Sequence, residues 1–233
     1  MDKPPRDKSA GDAAYEIGRA LAAAVPSVGG PLQVLFENVF RAPLDKRKEA
    51  WLLELVGVIE ELRATVDGFR PEMLAENEVF ISVALQASQT ALRNHQREKL
   101  DALRNAVLNS ALPSLLSEDE QMIFLRLVDQ LTPWHLRLLA FLDDPDQWIR
   151  TEKIELPYIA GALSTVLEAC FPDLAGRRDL YGQLVRDLQV EGLAADGSYL
   201  HGMMTSQGMV AGRTTDLGKR FLTYISDPWS ERA

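Results

Sequence analysis

Arg177-Arg178-Asp179-Leu180-Tyr181-Gly182-Gln183-Leu184-Val185-Arg186-Asp187-Leu188-Gln189-Val190-Glu191-Gly192 is the stretch whose reading decides the fold. Leu180, Leu184 and Leu188 recur every four residues, with Tyr181 and Val185 beside them, so a helix over 176–191 has one apolar side. Arg177, Arg178, Asp179, Arg186 and Asp187 fall on its other side. Gly192 supplies the left-handed residue on which such a helix ends. Residues 197–213 are then studded with glycine and β-prone. They predict strands at 198–200 and 209–212, with a tip over 201–208 that contains His201, Met203 and Met204. A closing helix opens within Thr214-Thr215-Asp216-Leu217-Gly218-Lys219-Arg220-Phe221-Leu222.

Upstream, the punctuation is helical throughout. Pro31, Pro43, Pro71, Pro133 and Pro157 sit where a first helical turn tolerates proline. Ser117 with Glu120 three residues on predicts a capping box. Residues 44–66 place Leu44, Trp51, Leu55, Ile59, Leu62 and Val66 on one stripe. Residues 72–112 hold neither proline nor glycine, and a single helix there would run about 60 Å at ~1.5 Å per residue. A break near Asn94-His95 is expected, with Phe80, Val83, Ala87 and Ala91 lining one helix and Leu100, Leu103 and Val107 the other. Residues 133–142 and 157–171 read as the two helices before 176–191, and the run Asp143-Asp144-Pro145-Asp146 as a loop. Apolar–polar alternation is nearly absent before residue 195, so the chain is expected to be mainly α, an N-terminal helical bundle followed by a module with one small β-hairpin. The expected division is a disordered tail over 1–12, the bundle over 13–131 and the module over 132–228.

Composition narrows the function classes. The 233 residues are 46 % hydrophobic and 25 % charged, ordinary globular values, and the net charge is −9, which disfavours a surface that coats nucleic acid. One cysteine, Cys170, cannot close an internal disulfide and reads as a small buried hydrophobe. No run approaches the ~20 apolar residues that span a bilayer, and the N-terminus carries no targeting pattern, so a cytoplasmic location is expected. His95, His135 and His201 stand alone, without the i,i+4 partner of a metal pair. His135, behind Thr132-Pro133, reads as helix-entry packing. No calcium loop, nucleophile elbow, P-loop or dinucleotide fingerprint occurs. The expectation is no enzyme, no cofactor and no metal.

Two resemblances bear on these residues. The order helix, glycine stop, β-hairpin and closing helix resembles a winged helix, and Thr214 to Leu222 resembles the L-T-x-L-G-R-x-F-L ending of winged-helix regulators. That implies a module that docks on macromolecules, with Arg177, Arg178, Arg186, Arg213, Lys219 and Arg220 as candidate contacts and His201, Met203 and Met204 as the wing tip. Leu131-Thr132-Pro133-Trp134-His135-Leu136-Arg137-Leu138-Leu139 resembles the L-S-P-x-x-A-x-x-L block of the abortive-infection alpha-type family, and the rest looks like uncharacterised bacterial helical proteins. The second resemblance implies a phage-defence accessory, with residues 17–40 as a hairpin touching membrane or partner. Residues 132–233 hold ten basic side chains against fourteen acidic ones. A protein partner or a second copy of the chain is therefore expected first. DNA, with the bundle as dimerising element, is the alternative, and a membrane is the least favoured.

Overall fold

The computed structural model describes residues 42–155 and 160–229. They are mainly α-helical, and the chain divides into two compact units, Met1–Pro113 and Ser114–Ala233. The expected tail over 1–12 and hairpin over 17–40 lie outside the described residues.

The first unit contains α1 (Ala42–Thr65), a 3-10 helix (Pro71–Glu76), α2 (Glu78–Arg93) and α3 (Arg97–Ser110). The expected break near residue 94 is present. Asn94 turns extended and its Nδ2 donates to the Thr90 carbonyl at 2.8 Å, which closes α2 without glycine or proline. Asn77 opens α2 by accepting from the Phe80 backbone N–H at 3.0 Å. Trp51, Val58 and Leu62 of α1 are buried, as are Val83, Ala87 and Ala91 of α2 and Leu103 and Val107 of α3. Polar contacts tie the same helices: Trp51 Nε1 donates to Ser88 Oγ at 2.8 Å, Arg97 pairs with Glu54 at 2.9 Å, and Arg104 pairs with Glu61. The far side of α1 exposes Leu52, Leu53 and Val56.

The second unit runs α4 (Glu118–Gln130), α5 (Pro133–Asp143), α6 (Pro145–Thr151), β1 (Ala160–Gly161), α7 (Leu163–Cys170), a 3-10 turn (Pro172–Leu174), α8 (Arg178–Val190), β2 (Met204–Thr205), α9 (Ser206–Met209) and α10 (Asp216–Ile225). The change of unit falls at 113/114, where 131/132 was expected. The reason is aromatic: the Phe124 ring of α4 lies 5.4 Å from Phe221 and 5.7 Å from Tyr224 of α10. Tyr224 also donates to Gln121 Oε1 at 3.2 Å. The Ser117–Glu120 capping box that opens α4 is formed. The aspartate run is a helix junction rather than a loop, because Asp144 caps α6 by accepting from Gln147 N–H and Pro145 takes the first helical position. The second expected helix is present as Leu163–Cys170, and Pro157 lies outside the described residues.

The strands are not where the glycine pattern put them. Residues 198–200 and 209–212 form no strand pair. Instead β2 pairs antiparallel with β1, Ala160 opposite Thr205 and Gly161 opposite Met204, and a single bridge joins Ala194 to Thr214. Met204, expected at a free tip, is thus a paired strand residue. The first predicted strand and the residue after the second have other partners: the Leu200 carbonyl accepts from Ser164 N–H at 2.8 Å, and Arg213 N–H donates to the Leu142 carbonyl at 2.6 Å. Gly212 is required beside that contact, since a Cβ would stand 2.6 Å from the Asp143 carbonyl oxygen.

Candidate functional site

Helix α8 and the segment that follows it form the surface singled out from the sequence. Tyr181, Leu184, Val185 and Leu188 are buried, as its four-residue rhythm dictates. Two polar ties fix its rotation. His135, nearly buried, accepts from the Thr132 backbone N–H through Nδ1 at 3.0 Å and lies 3.2 Å from Asp187 through Nε2. With Nδ1 accepting, the proton belongs on Nε2, which then donates to the Asp187 carboxylate. One imidazole thus closes the capping box of α5 and anchors α8. Tyr181 OH donates to Glu168 Oε1 of α7 at 2.7 Å. Burial, and then that carboxylate, push the Tyr181 phenol up to about 12, so it stays a neutral donor.

After Gly192, in the left-handed region at φ 71°, the chain is clamped at its neck. Thr215 N–H and Oγ1 reach the carbonyls of Leu193 and Gly192, at 3.0 and 2.6 Å, while the same Oγ1 accepts from Gly218 N–H to start α10. A side chain at Gly218 would collide with the Leu193 carbonyl. Farther out, Gln189 Nε2 donates to the carbonyls of Ala195 and Gly197. Arg213 Nη2 donates to the Gly208 carbonyl at 3.0 Å, and its guanidinium lies 5.4 Å from the Tyr199 ring centroid.

These contacts sort the candidate residues. Arg177, Arg178 and Arg186 are exposed on α8, and Arg186 bonds Gln183 at 2.8 Å. Arg213 is half-buried and turned into its own segment by its contacts with the Gly208 carbonyl and the Tyr199 ring, which make it a structural tie. Lys219 is exposed, while Arg220 of the same helix pairs with Glu120 at 3.1 Å. Arg178, His201 and Met203 are brought together. With Gly161, Ser164 and Thr165 they line an open cleft of about 280 Å³. The His201 ring lies 5.8 Å from that of Tyr181, and Met203 is 79 % exposed. The sequence had no means of adding Gly161, Ser164 and Thr165, because tertiary contacts, the β1–β2 pairing and the Ser164–Leu200 hydrogen bond, carry them to the loop.

The outward stripe of α8 reads Asp179, Gln183, Arg186 and Val190 at steps of four, three and four. It balances one acid against one base, and it ends on a valine that is 84 % exposed. Cys170 is half-buried and its thiol is pushed up to about 11 by burial and the nearby Glu152, which removes the thiolate needed for reactivity at neutral pH. Among the described residues no cluster of His, Cys, Asp and Glu is arranged to hold a metal, and no helix is long and apolar enough to cross a membrane. No protein-family model matches the chain, and neither a curated protein nor a solved structure does.

Proposed function

We propose that this chain is a non-enzymatic interaction or regulatory protein whose Ser114–Ala233 unit is a winged-helix-like module that docks a protein partner. The order of elements supports the module: helices α5 and α6, strand β1, helices α7 and α8, then a segment necked at Ala194–Thr214 that returns a strand to β1. The single observation that carries the docking reading is the convergence of Arg178, His201 and Met203 on one open cleft beside α8. A protein fits this surface better than a duplex does. The α8 stripe is charge-balanced and ends on an exposed valine, Arg213 is turned inward, and Arg220 is paired.

The alternative, a DNA-binding regulator dimerising through its helical bundle, draws on Arg177 and Arg178, both exposed at the start of α8. The phage-defence reading draws on the likeness carried by Leu131 to Leu139, and its contact hairpin, residues 17–40, lies outside the described residues.

One experiment separates the first two. The full chain and its Arg178→Glu and Met203→Asp variants are measured for retention of random duplex DNA at roughly 50 mM salt, and for co-purification of partner protein from cells of origin. The proposal expects no DNA retention and a co-purifying protein that both variants lose. DNA binding that weakens steeply with salt and with Arg178→Glu would replace it with the DNA reading. A partner kept by both variants would dismiss the cleft.

A further inference from the structure

We infer that the outward face of α1 is a self-association surface on which two copies of this chain pair antiparallel about Leu53. This is independent of the docking reading, since it concerns a different unit. While Trp51, Val58 and Leu62 point into the unit, Lys46, Ala50, Leu53, Gly57, Glu60 and Ala64 recur on the other side at alternating steps of four and three. That is the spacing of a seam between two helices. Leu53 is 67 % exposed, and Leu52 and Val56 beside it are 50 % and 54 % exposed. A solitary exposed leucine needs no explanation, but three adjoining apolar side chains on one helix do. Gly57 adds a separate sign. Glycine weakens a mid-helix position, and among the described residues a Cβ there would meet nothing within 4 Å, so none of their packing requires its absence. Small residues at 50, 57 and 64 allow the axis of a second helix to approach closely.

Charge order selects the occupant. Lys46, Arg47 and Lys48 outnumber Asp45 and Glu49 in the N-terminal part of α1, and Glu60 and Glu61 outnumber Arg63 in its C-terminal part. Arg47 and Glu61 are engaged within the unit, by the Leu92 carbonyl and by Arg104. Lys46 and Glu60 are exposed on the seam, with Arg63 at 3.6 Å from Glu60. The helix complementary to this one has an acidic seam residue where α1 has Lys46 and a basic one where it has Glu60, with an apolar centre between. Reversed end for end, α1 is that helix. About a two-fold axis at Leu53, Leu53 meets its own copy, Ala50 lies against the turn of Val56 and Gly57, and Lys46 faces Glu60 twice over. A parallel pair would set Lys46 on Lys46. One helix of about 36 Å on each side, at ~1.5 Å per residue, makes an interface at the small end of the specific range, so association depends on concentration.

The test is the mass of the full chain by light scattering across a wide concentration series, with helical circular dichroism to confirm folding. Wild type is expected to rise from 25.9 kDa toward twice that value. Leu53→Glu, which sets two carboxylates on the axis, should hold it at the monomer mass. Lys46→Glu and Glu60→Lys should each weaken association about tenfold, and the double variant should restore it. A wild type that stays monomeric overturns the inference. So does a dimer indifferent to all three substitutions, or a folded double variant that fails to recover. Monomeric wild type that captures some other protein through Leu53 would assign the face to a foreign partner instead.

Discussion

The two units solve the same problem with different means. The first is built from three long helices whose buried side chains are chiefly aliphatic, tied by polar links such as Trp51 to Ser88 and Arg104 to Glu61. The second is built from shorter helices around two aromatic groups. Trp134, Phe141 and Trp148 each set a ring within 5.2–5.8 Å of Phe171, and Phe221 and Tyr224 do the same to Phe124. Long helices with one buried stripe leave whole faces outside. Short helices interrupted by caps and tight carbonyl contacts leave a particular cleft. The lesson is that the first unit offers a repeating seam and the second a shaped surface, and partner chemistry should follow that division.

The comparison can be broken by weakening one unit at a time. Phe221→Ala removes a fully buried ring from the Phe124 group and should destabilise the second unit by about 3–5 kcal/mol, read by hydrogen exchange in α4, α5 and α10. If protection in α1 to α3 falls equally, the two are not separate folding units. Gly218→Ala should cost about 1–3 kcal/mol in urea denaturation, although alanine is the better helix former, because the methyl meets the Leu193 carbonyl. A neutral or stabilising result would remove the neck as a constraint. In the first unit, Arg104→Ala leaves Glu61 without its partner and strips the stem that covers α1. A loss of about 1–2 kcal/mol confined to that unit is expected. The smallest effect is spectroscopic. Tyr181 holds an ionisation raised from 10.0 to about 12, so its contribution to stability is fully present below the ordinary value and is lost as pH rises from there through about 12. Glu168→Gln should bring part of the tyrosinate absorbance to lower pH. An unchanged titration would mean that burial alone sets it.

Much of the helical frame was readable from residues. Ser117 and Glu120, Thr132 and Pro133, the apolar rhythm of α8 and the stop at Gly192 each fix a local geometry with few alternatives, and each is present. The strands were not readable, for a definite reason. Two-residue strands carry no alternation to detect, and β1 and β2 are more than forty residues apart, so only tertiary contact pairs them. Arg213 shows the same limit for the site. An arginine in a glycine-rich loop looks outward on composition alone, yet the Gly208 carbonyl and the Tyr199 ring take it inward. The outward leucine and valine of α1 were hidden because a pattern scored for one buried stripe absorbs its neighbours. The unit boundary was missed because a helix says nothing about which aromatic rings it will meet.

The joint between α8 and α10 has a use beyond this molecule. Thr215 and Gly218 act on the carbonyls of Gly192 and Leu193 by a hydroxyl and by an empty position, so exchange of either disturbs the joint. Any distant cousin of this architecture should therefore keep a glycine-ended helix followed, some twenty residues later, by threonine and glycine three apart. That spaced signature would identify kin after overall identity has faded.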